Sequence, residues 1–148
     1  METKNNRNAT IIIADSSGLI SLVIPSDANH LLATQGARQI STEESTIFIP
    51  AEVLAETINI LGKKYGHKQA MTTGHRLTRD NAFIVVETNE LIRSRALDLM
   101  DDAPGSVSYT DCIVVATAEH YNCAEIYGFD RFFQQRGFPF PSAQDEAA

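Results

Sequence analysis

Hydrophobic residues along the chain fall into short runs separated by longer stretches with helical periodicity. The runs have the apolar, often β-branched character of strands that are buried on both faces of a sheet. They lie at 10–14 (TIIIA), 47–49 (IFI), 83–86 (FIVV) and 125–128 (EIYG). Strands alternating with helices predict a parallel sheet covered by helices on both faces. The pattern therefore predicts an α/β protein, a three-layer α/β/α sandwich with a central parallel sheet.

Polar residues and prolines mark where the helices between these strands begin and end. A helix is expected after Ser16, and Pro25 ends it, so that Ser26 or Asp27 caps the next one. Thr88 is the expected cap of another helix. The remaining helices are predicted at 51–64, 67–78, 109–121 and 131–135, of which 67–78 is weakened by an internal Thr-Thr-Gly.

Length and composition are those of one compact domain. The chain has 148 residues, 43% of them hydrophobic, which is enough for a real core but not for two. We expect a domain at 10–141 between disordered tails at 1–9 and 142–148. The polar N-terminus is neither a signal peptide nor a membrane span. Cys112 and Cys123 match no zinc or disulfide framework, which favours reduced, buried thiols in a cytoplasmic protein.

The charge distribution is uneven. The net charge is −7, with 19 acids against 12 bases, which argues against a protein that coats nucleic acid non-specifically. Between Glu56 and Asp80 there is no acid, whereas Lys63, Lys64 and Arg76 lie in that interval. This basic stretch is either an ordinary solvated helical hairpin or a guide for phosphates.

Four acids stand at the ends or on the flanks of predicted elements. They are Asp15, Glu56, Asp111 and Asp130. Ligands of open α/β sheets bind at the carboxyl ends of the strands, where these acids are expected to meet. Each acid also has a purely structural reading. Asp15 and Asp130 could cap helices, Asp111 could belong to a capping box begun by Ser108, and Glu56 could be a plain surface residue.

Taken together, the four acids indicate a metal site. Two carboxylates about 4 Å apart repel by roughly 4 kcal/mol at an effective dielectric near 20, so a converging set needs a cation or protons. Mg²⁺ or Mn²⁺ suits such oxygen ligands, and no two of the four histidines have ligand spacing. A carboxylate-held divalent ion activates water against a phosphodiester, which makes a nucleic-acid backbone the natural substrate.

Four segments of the chain resemble the PIN-domain family, and in particular its small ribonuclease toxins. These segments are IIIADSSGLI with Asp15, IPAEVLAETINIL with Glu56, YTDCIVVATA with Asp111, and IYGFDRFF with Asp130. Each motif alone is weak, but the four occur in order and at suitable spacing from about Thr10 to Phe138. The combination is therefore specific.

The resemblance implies an Mg²⁺- or Mn²⁺-dependent endoribonuclease. For the toxin branch it also implies a small antitoxin as partner and frequent homodimers. Asp15, Glu56 and Asp111 would hold the principal metal, while Asp130 would complete the site or hold a second ion. Ser16 or Ser17 matches the hydroxyl that commonly follows the first acid. Many relatives have a threonine two residues before the last acid, where this chain has Gly128.

Other Mg²⁺-binding folds of this size match less well. A phosphoacceptor receiver domain has paired acids after its first strand and an aspartate ending a central strand. Here two serines follow Asp15, and the strands at 47–49 and 83–86 end without an aspartate. A haloacid-dehalogenase-type phosphatase would need an acid at Ser17. A PIN-like scaffold that only binds partners remains open, although the presence of all four acids argues against it.

Overall fold

The computed structural model describes residues 10–142, and the elements of that part alternate as expected. In chain order they are β1 (Ile11–Ala14), α1 (Ser16–Val23), α2 (His30–Thr42), β2 (Thr46–Pro50), α3 (Ala51–Tyr65), α4 (His67–Arg79), β3 (Phe83–Val86), α5 (Glu90–Asp102), α6 (Tyr109–His120), β4 (Ile126–Tyr127) and α7 (Arg131–Gln135). The predicted tail at 1–9 and positions 143–148 of the other tail lie outside the described residues. None of the helices described is long and apolar enough to cross a membrane.

The four strands form one parallel sheet in the order β3-β2-β1-β4. Ile47 of β2 pairs with Ile12 on one side and with Phe83 on the other, and Ile13 pairs with Ile126 of β4. Both residues of β4 and most residues of β1 and β2 are buried, whereas β3 is more exposed. The predicted α/β/α fold with a central parallel sheet is confirmed.

The order of the strands fixes where a ligand can bind. From β1 the chain moves outward to β2 and β3, and it then returns to place β4 on the other side of β1. Right-handed crossovers put α1 to α4 on one face and α5 and α6 on the other. The direction of winding therefore reverses between β1 and β4. In open α/β sheets, the crevice at the carboxyl ends of such strands is the usual binding site.

Helix α6 is deeply buried over most of its length. All of its residues at 112–118 are at most 1% exposed, because the helix packs over β1, β2 and β4 while α5 covers its other side. Its one polar residue there, Thr117, donates its hydroxyl hydrogen bond to the Ile113 carbonyl (2.6 Å). Because α6 is apolar and buried on all sides at 112–118, its packing holds its N-terminus at a fixed place on the sheet.

Two predicted helix caps are wrong. Helix α2 begins at His30, and its N-cap residue Asn29 makes no side-chain capping bond. Asp27, at the expected cap, instead accepts hydrogen bonds from the Ser21 hydroxyl and the Asn29 N–H (both 2.8 Å). It closes the turn before the helix rather than capping the helix itself.

Helix α5 is capped by Asn89, whose side chain accepts from the Ile92 N–H (2.8 Å). The predicted cap, Thr88, donates its hydroxyl to Glu52 of α3 instead (2.7 Å). The last strand is also shorter than expected, since it spans only Ile126–Tyr127.

Both cysteines are free thiols. Cys112 is fully buried, as expected, whereas Cys123 is only half-buried. Burial nevertheless raises the pKa of Cys123 to about 11. A thiol with this pKa is protonated at neutral pH and is a poor nucleophile or metal ligand.

Candidate active site

Asp15 lies directly after β1 and caps α1. Its Oδ2 accepts hydrogen bonds from the Ser17 N–H (3.2 Å) and the Ser17 hydroxyl (2.8 Å), and the side chain is almost completely buried. Burial raises the pKa of Asp15 to about 6; the hydrogen bonds from Ser17 oppose this rise, and the charges of Asp111 and Glu56 add to it. Asp15 therefore caps α1, as predicted. Capping alone does not explain why this carboxylate is buried, where its charged form is disfavoured.

Glu56 reaches the same place from the other side. It lies in α3, which starts where β2 ends, and its Oε2 accepts a hydrogen bond from the buried Ser16 hydroxyl (3.1 Å). That bond joins α3 to the first residue of α1, 40 positions earlier in the chain. Glu56 is therefore directed toward the Asp15 end of the sheet rather than into solvent on the far side of its helix.

Asp111 occupies the first turn of α6 and completes a capping box with Ser108. Its Oδ2 accepts from the Ser108 N–H, and its own N–H donates to the Ser108 hydroxyl (both 3.0 Å). Burial raises the pKa of Asp111; the Ser108 backbone bond opposes this rise, and the charge of Asp130 adds to it. The structural and functional readings of this residue are compatible, since the cap engages only one of the two carboxylate oxygens.

Asp130 follows β4 and caps α7. Its Oδ1 accepts a hydrogen bond from the Phe132 N–H (2.8 Å), and the side chain is exposed. Its charge acts on Asp111. It does not figure among the charges that raise the pKa of Asp15. Asp130 therefore lies at the outer side of the acidic group.

Ser17 ties the first acid to the last strand. Its hydroxyl donates to Asp15 and accepts from the Phe129 N–H (2.9 Å), while the Asp15 N–H donates to the Tyr127 carbonyl (3.0 Å). A Cβ added at Gly128 would lie 2.7 Å from the Asp15 Cβ, closer than real Cβ atoms come. The missing threonine therefore has a steric reason in this chain, because there is no room for any side chain at that position.

The sequence indicated the serines that support the acids, but it did not indicate that close backbone contacts require glycine beside them. Both Ser16 and Ser17 hydrogen-bond to acids of the group, one each. At Gly18, an added Cβ would lie 2.3 Å from the Tyr127 carbonyl oxygen. The sequence gives no signal for this close approach of α1 to β4, since it depends on residues more than a hundred positions apart.

The four carboxylates act on one another electrostatically, but they do not surround a single position for an ion. Asp15 is affected by Glu56 and Asp111, and Asp111 by Asp130. Each uses one oxygen in the bond described above, and within the described part of the chain the other oxygen accepts none. Among residues 10–142, however, no three His, Cys, Asp or Glu side chains are close enough to hold a metal ion. The donors suit Mg²⁺ or Mn²⁺ chemically, and side-chain rotation would have to bring them together.

The predicted basic residues lie in two separate places. Lys63 and Lys64 are exposed in the last turn of α3, roughly 10–12 Å along the helix from Glu56. Arg76 is exposed on α4 and lines a groove formed by the first residues of β2 and β3. The structure thus places Arg76 toward the amino ends of the strands, away from the acids, and keeps only the two lysines together.

The fold and sequence match known proteins. A family model described as the PIN domain matches residues 12–139. The structure is similar to VapC20 of Mycobacterium tuberculosis, a sarcin-ricin-loop-cleaving toxin, with a TM-score of 0.75, 21% identity, and coverage of 86% of this chain and 95% of that one. It is also similar to a toxin–antitoxin complex from Klebsiella pneumoniae, with a TM-score of 0.50, 16% identity, and coverage of 78% and 82%. No curated protein is significantly similar. The chain belongs to the PIN-domain family.

Proposed function

We propose that the protein is a metal-dependent endoribonuclease that hydrolyses RNA phosphodiester bonds as the toxin of a toxin–antitoxin pair. One observation carries the proposal. Four acids from separate parts of the chain gather at the carboxyl end of the sheet, where the winding reverses, and each has an oxygen without a hydrogen bond in the described structure. Membership of the PIN-domain family and the likeness to VapC20, a sarcin-ricin-loop-cleaving toxin, support this reading.

The acids are assigned to a divalent ion, Mg²⁺ or Mn²⁺. Asp15, Glu56 and Asp111 would hold it, and Asp130 would complete the site or serve a second ion. Such an ion, when bound, supplies the charge that acidifies water and stabilises the phosphate oxygens during hydrolysis. It would also offset the burial and the charges of Asp111 and Glu56, which together raise the pKa of Asp15.

The protein's own contribution is to hold these oxygens in place. Ser17 fixes Asp15, Ser16 fixes Glu56, and the capping box fixes Asp111 on a buried helix. The backbone positions of these acids are thus fixed, and side-chain rotation would bring their oxygens together around an ion. Lys63 and Lys64 lie in the last turn of the helix that carries Glu56, and we propose that they contact phosphates on one side of the scissile bond.

The partners follow from the same assignment. The RNA substrate would occupy the acidic cleft, and a small antitoxin protein would neutralise the toxin in the cytoplasm. The similarity to a toxin–antitoxin complex supports the second partner. We also propose that the toxin forms a homodimer, as expected from the resemblance to this branch of the family.

Cleavage assays with purified protein test the proposal. Wild-type protein is expected to cut RNA internally in Mg²⁺ or Mn²⁺ and to stop in EDTA, whereas Asp15→Asn and Asp111→Asn are expected to be inactive although folded. Asp80→Asn, an exposed aspartate at the other end of the sheet, is the matched control for nuclease contamination and should cut normally. Cleavage by Asp111→Asn at the wild-type rate would refute the site. Mg²⁺ binding without any cleavage would favour a non-catalytic PIN-like module.

A further inference from the structure

A second site lies beside the acidic group, between the end of α5 and α7. It is a cavity of about 390 Å³ whose apolar wall includes Leu99, Pro104 and Phe132, and whose charged groups include Asp98, Asp102 and Arg136. Apolar side chains together with charged groups of both signs suit a small polar ring better than a lipid or an aliphatic chain.

The cavity adjoins the proposed catalytic acids. The N–H of Phe132, which lines the cavity, donates to the Asp130 carboxylate (2.8 Å). The cavity therefore begins beside Asp130, next to the place where the proposed site would bind a phosphodiester.

Not all charges of the cavity are used by the fold. Arg95, also in its lining, makes a two-bond pair with Glu119 (2.7 and 3.3 Å), whereas Arg136 reaches Glu119 only at 4.0 Å. Within residues 10–142, Asp98 and Asp102 take part in none of the hydrogen bonds or salt bridges, although the charge of Asp98 acts on the neighbouring Arg95. They also lie in the last turns of α5, where the helix dipole disfavours negative charge. The two carboxylates and the weakly paired Arg136 are all exposed, so a ligand in the cavity could contact them.

The charges select the part of an RNA that fits. Two carboxylates repel a phosphate, so the cavity suits a base instead. Guanine carries N–H donors at N1 and N2 that a carboxylate accepts, and acceptors at O6 and N7 that an arginine contacts with two hydrogen bonds. We propose that this cavity binds one guanine next to the scissile bond, with Asp98 and Asp102 facing its N–H groups and Arg136 facing O6 and N7. The proposal rests on the ribonuclease function proposed above.

Base preference in cleavage tests the proposal. A randomised single-stranded RNA library is cut, and the ends of the products are sequenced. Wild-type protein is expected to enrich guanine at one fixed position near the cut. The Asp98→Asn/Asp102→Asn double variant and Arg136→Met are each expected to reduce that enrichment about tenfold to a hundredfold while still cutting RNA. Asp101→Asn is the matched control, since Asp101 neighbours Asp102 on α5 but is not part of the cavity lining. It should keep the preference.

Mononucleotide binding separates this proposal from the ribonuclease function. Calorimetry on the full-length protein is expected to give tighter binding of GMP than of IMP, which lacks the 2-amino group, or of AMP, and the double variant should abolish the difference. If wild-type protein does not cut RNA but shows this pattern, the ribonuclease proposal fails and the guanine site stands. If RNA is cut but the double variant leaves the base preference unchanged, the guanine site is refuted. If RNA is not cut, the guanine site is also refuted when the double variant leaves the ratio of GMP affinity to AMP affinity unchanged.

Discussion

Asp15 and Asp80 make the same local hydrogen bond at opposite ends of the sheet. Each accepts a hydrogen bond from the backbone N–H two residues later, from Ser17 (3.2 Å) and from Ala82 (2.9 Å) respectively. Asp80 precedes β3 and is exposed, whereas Asp15 follows β1 and is 4% exposed, with a pKa raised to about 6. The local motif is therefore uninformative, and the end of the sheet at which it occurs separates a turn residue from a candidate ligand.

The two ends also differ in how well their polar groups are satisfied. At the amino end, Thr10 and Ser45 hydrogen-bond to each other through both backbone and side chain (3.2 Å each), and Asp80 closes its own turn. At the carboxyl end, like charges approach one another and keep oxygens unused. Such an arrangement lowers stability, so it is expected where the protein binds something positive.

The largest expected effect separates capping from chemistry at Asp111. Replacing Asp111 with Asn keeps an acceptor for the Ser108 N–H but removes the charge, and RNA cleavage is expected to fall about 10²–10³-fold or more. Ser108→Ala removes the cap instead; it is expected to lower the unfolding free energy by about 1 kcal/mol and to retain most cleavage. Cleavage rates and urea denaturation measure the two quantities. Equal loss of cleavage in both variants would mean that Asp111 acts only as a cap.

The second prediction concerns the stability of Asp15→Asn as a function of pH. Unfolded Asp15 ionises near its ordinary value of 3.8, whereas the folded protein keeps the proton until about pH 6. The contribution of Asp15 to the unfolding free energy of the wild type therefore falls as the pH rises from about 4 to about 6, by roughly 3 kcal/mol in total, and then levels off. Asp15→Asn should be more stable than wild type at pH 7.5 by up to about that amount and equal to it at pH 4.

Denaturation in EDTA at the two pH values measures this difference. Asp80→Asn, at an exposed turn, should stay within about 0.5 kcal/mol of wild type at both. Adding Mg²⁺ should stabilise the wild type, because the ion binds only the folded protein. It should not stabilise Asp15→Asn, which lacks one ligand of the proposed site. A difference between Asp15→Asn and wild type that does not change with pH would show that the Asp15 charge is not destabilising.

The fold could be predicted because its signals are local. The apolar runs at 47–49 and 83–86 are bounded by polar turns, and both are strands. The helix caps were harder, because Thr88 and Asn89 are neighbours and both can cap. Asn89 does so because Thr88 donates to Glu52, which lies 36 positions away in sequence. A sequence pattern does not contain that contact.

The candidate site was predictable as a set of residue types but not as a geometry. The positions of Asp15 and Asp130 after apolar runs indicated their place at the carboxyl end of the sheet. The bond from the Phe129 N–H to the Ser17 hydroxyl spans 112 positions, and no local pattern indicates it. The same holds for the spread of the four carboxylates in the structure, since the distance between side chains depends on packing rather than on spacing in the sequence.

A third, smaller effect is expected from Gly128→Ala. The added Cβ would lie 2.7 Å from the Asp15 Cβ and 3.0 Å from the Phe133 ring, so one of them must move. We expect a loss of about 1–3 kcal/mol in unfolding free energy and reduced cleavage, because the shift displaces Asp15. Gly105→Ala, with nothing within 4 Å of its Cβ, is the control and should change neither. Normal stability in Gly128→Ala would mean that the contact between β4 and Asp15 is loose.

The smallest expected effect compares the lysine pair at the end of α3 with Arg76 on α4. Lys63→Glu/Lys64→Glu should weaken RNA binding and lower the salt dependence of the binding constant. For single-stranded RNA the logarithmic slope is expected to fall by about 0.7 for each phosphate that the protein no longer neutralises. Arg76→Glu should do neither, because Arg76 lies in the groove at the starts of β2 and β3, away from the acids. Binding is measured with a catalytically inactive Asp111→Asn background across a salt titration. An effect of Arg76→Glu as large as that of the lysine pair would show that RNA also contacts the groove at the starts of β2 and β3.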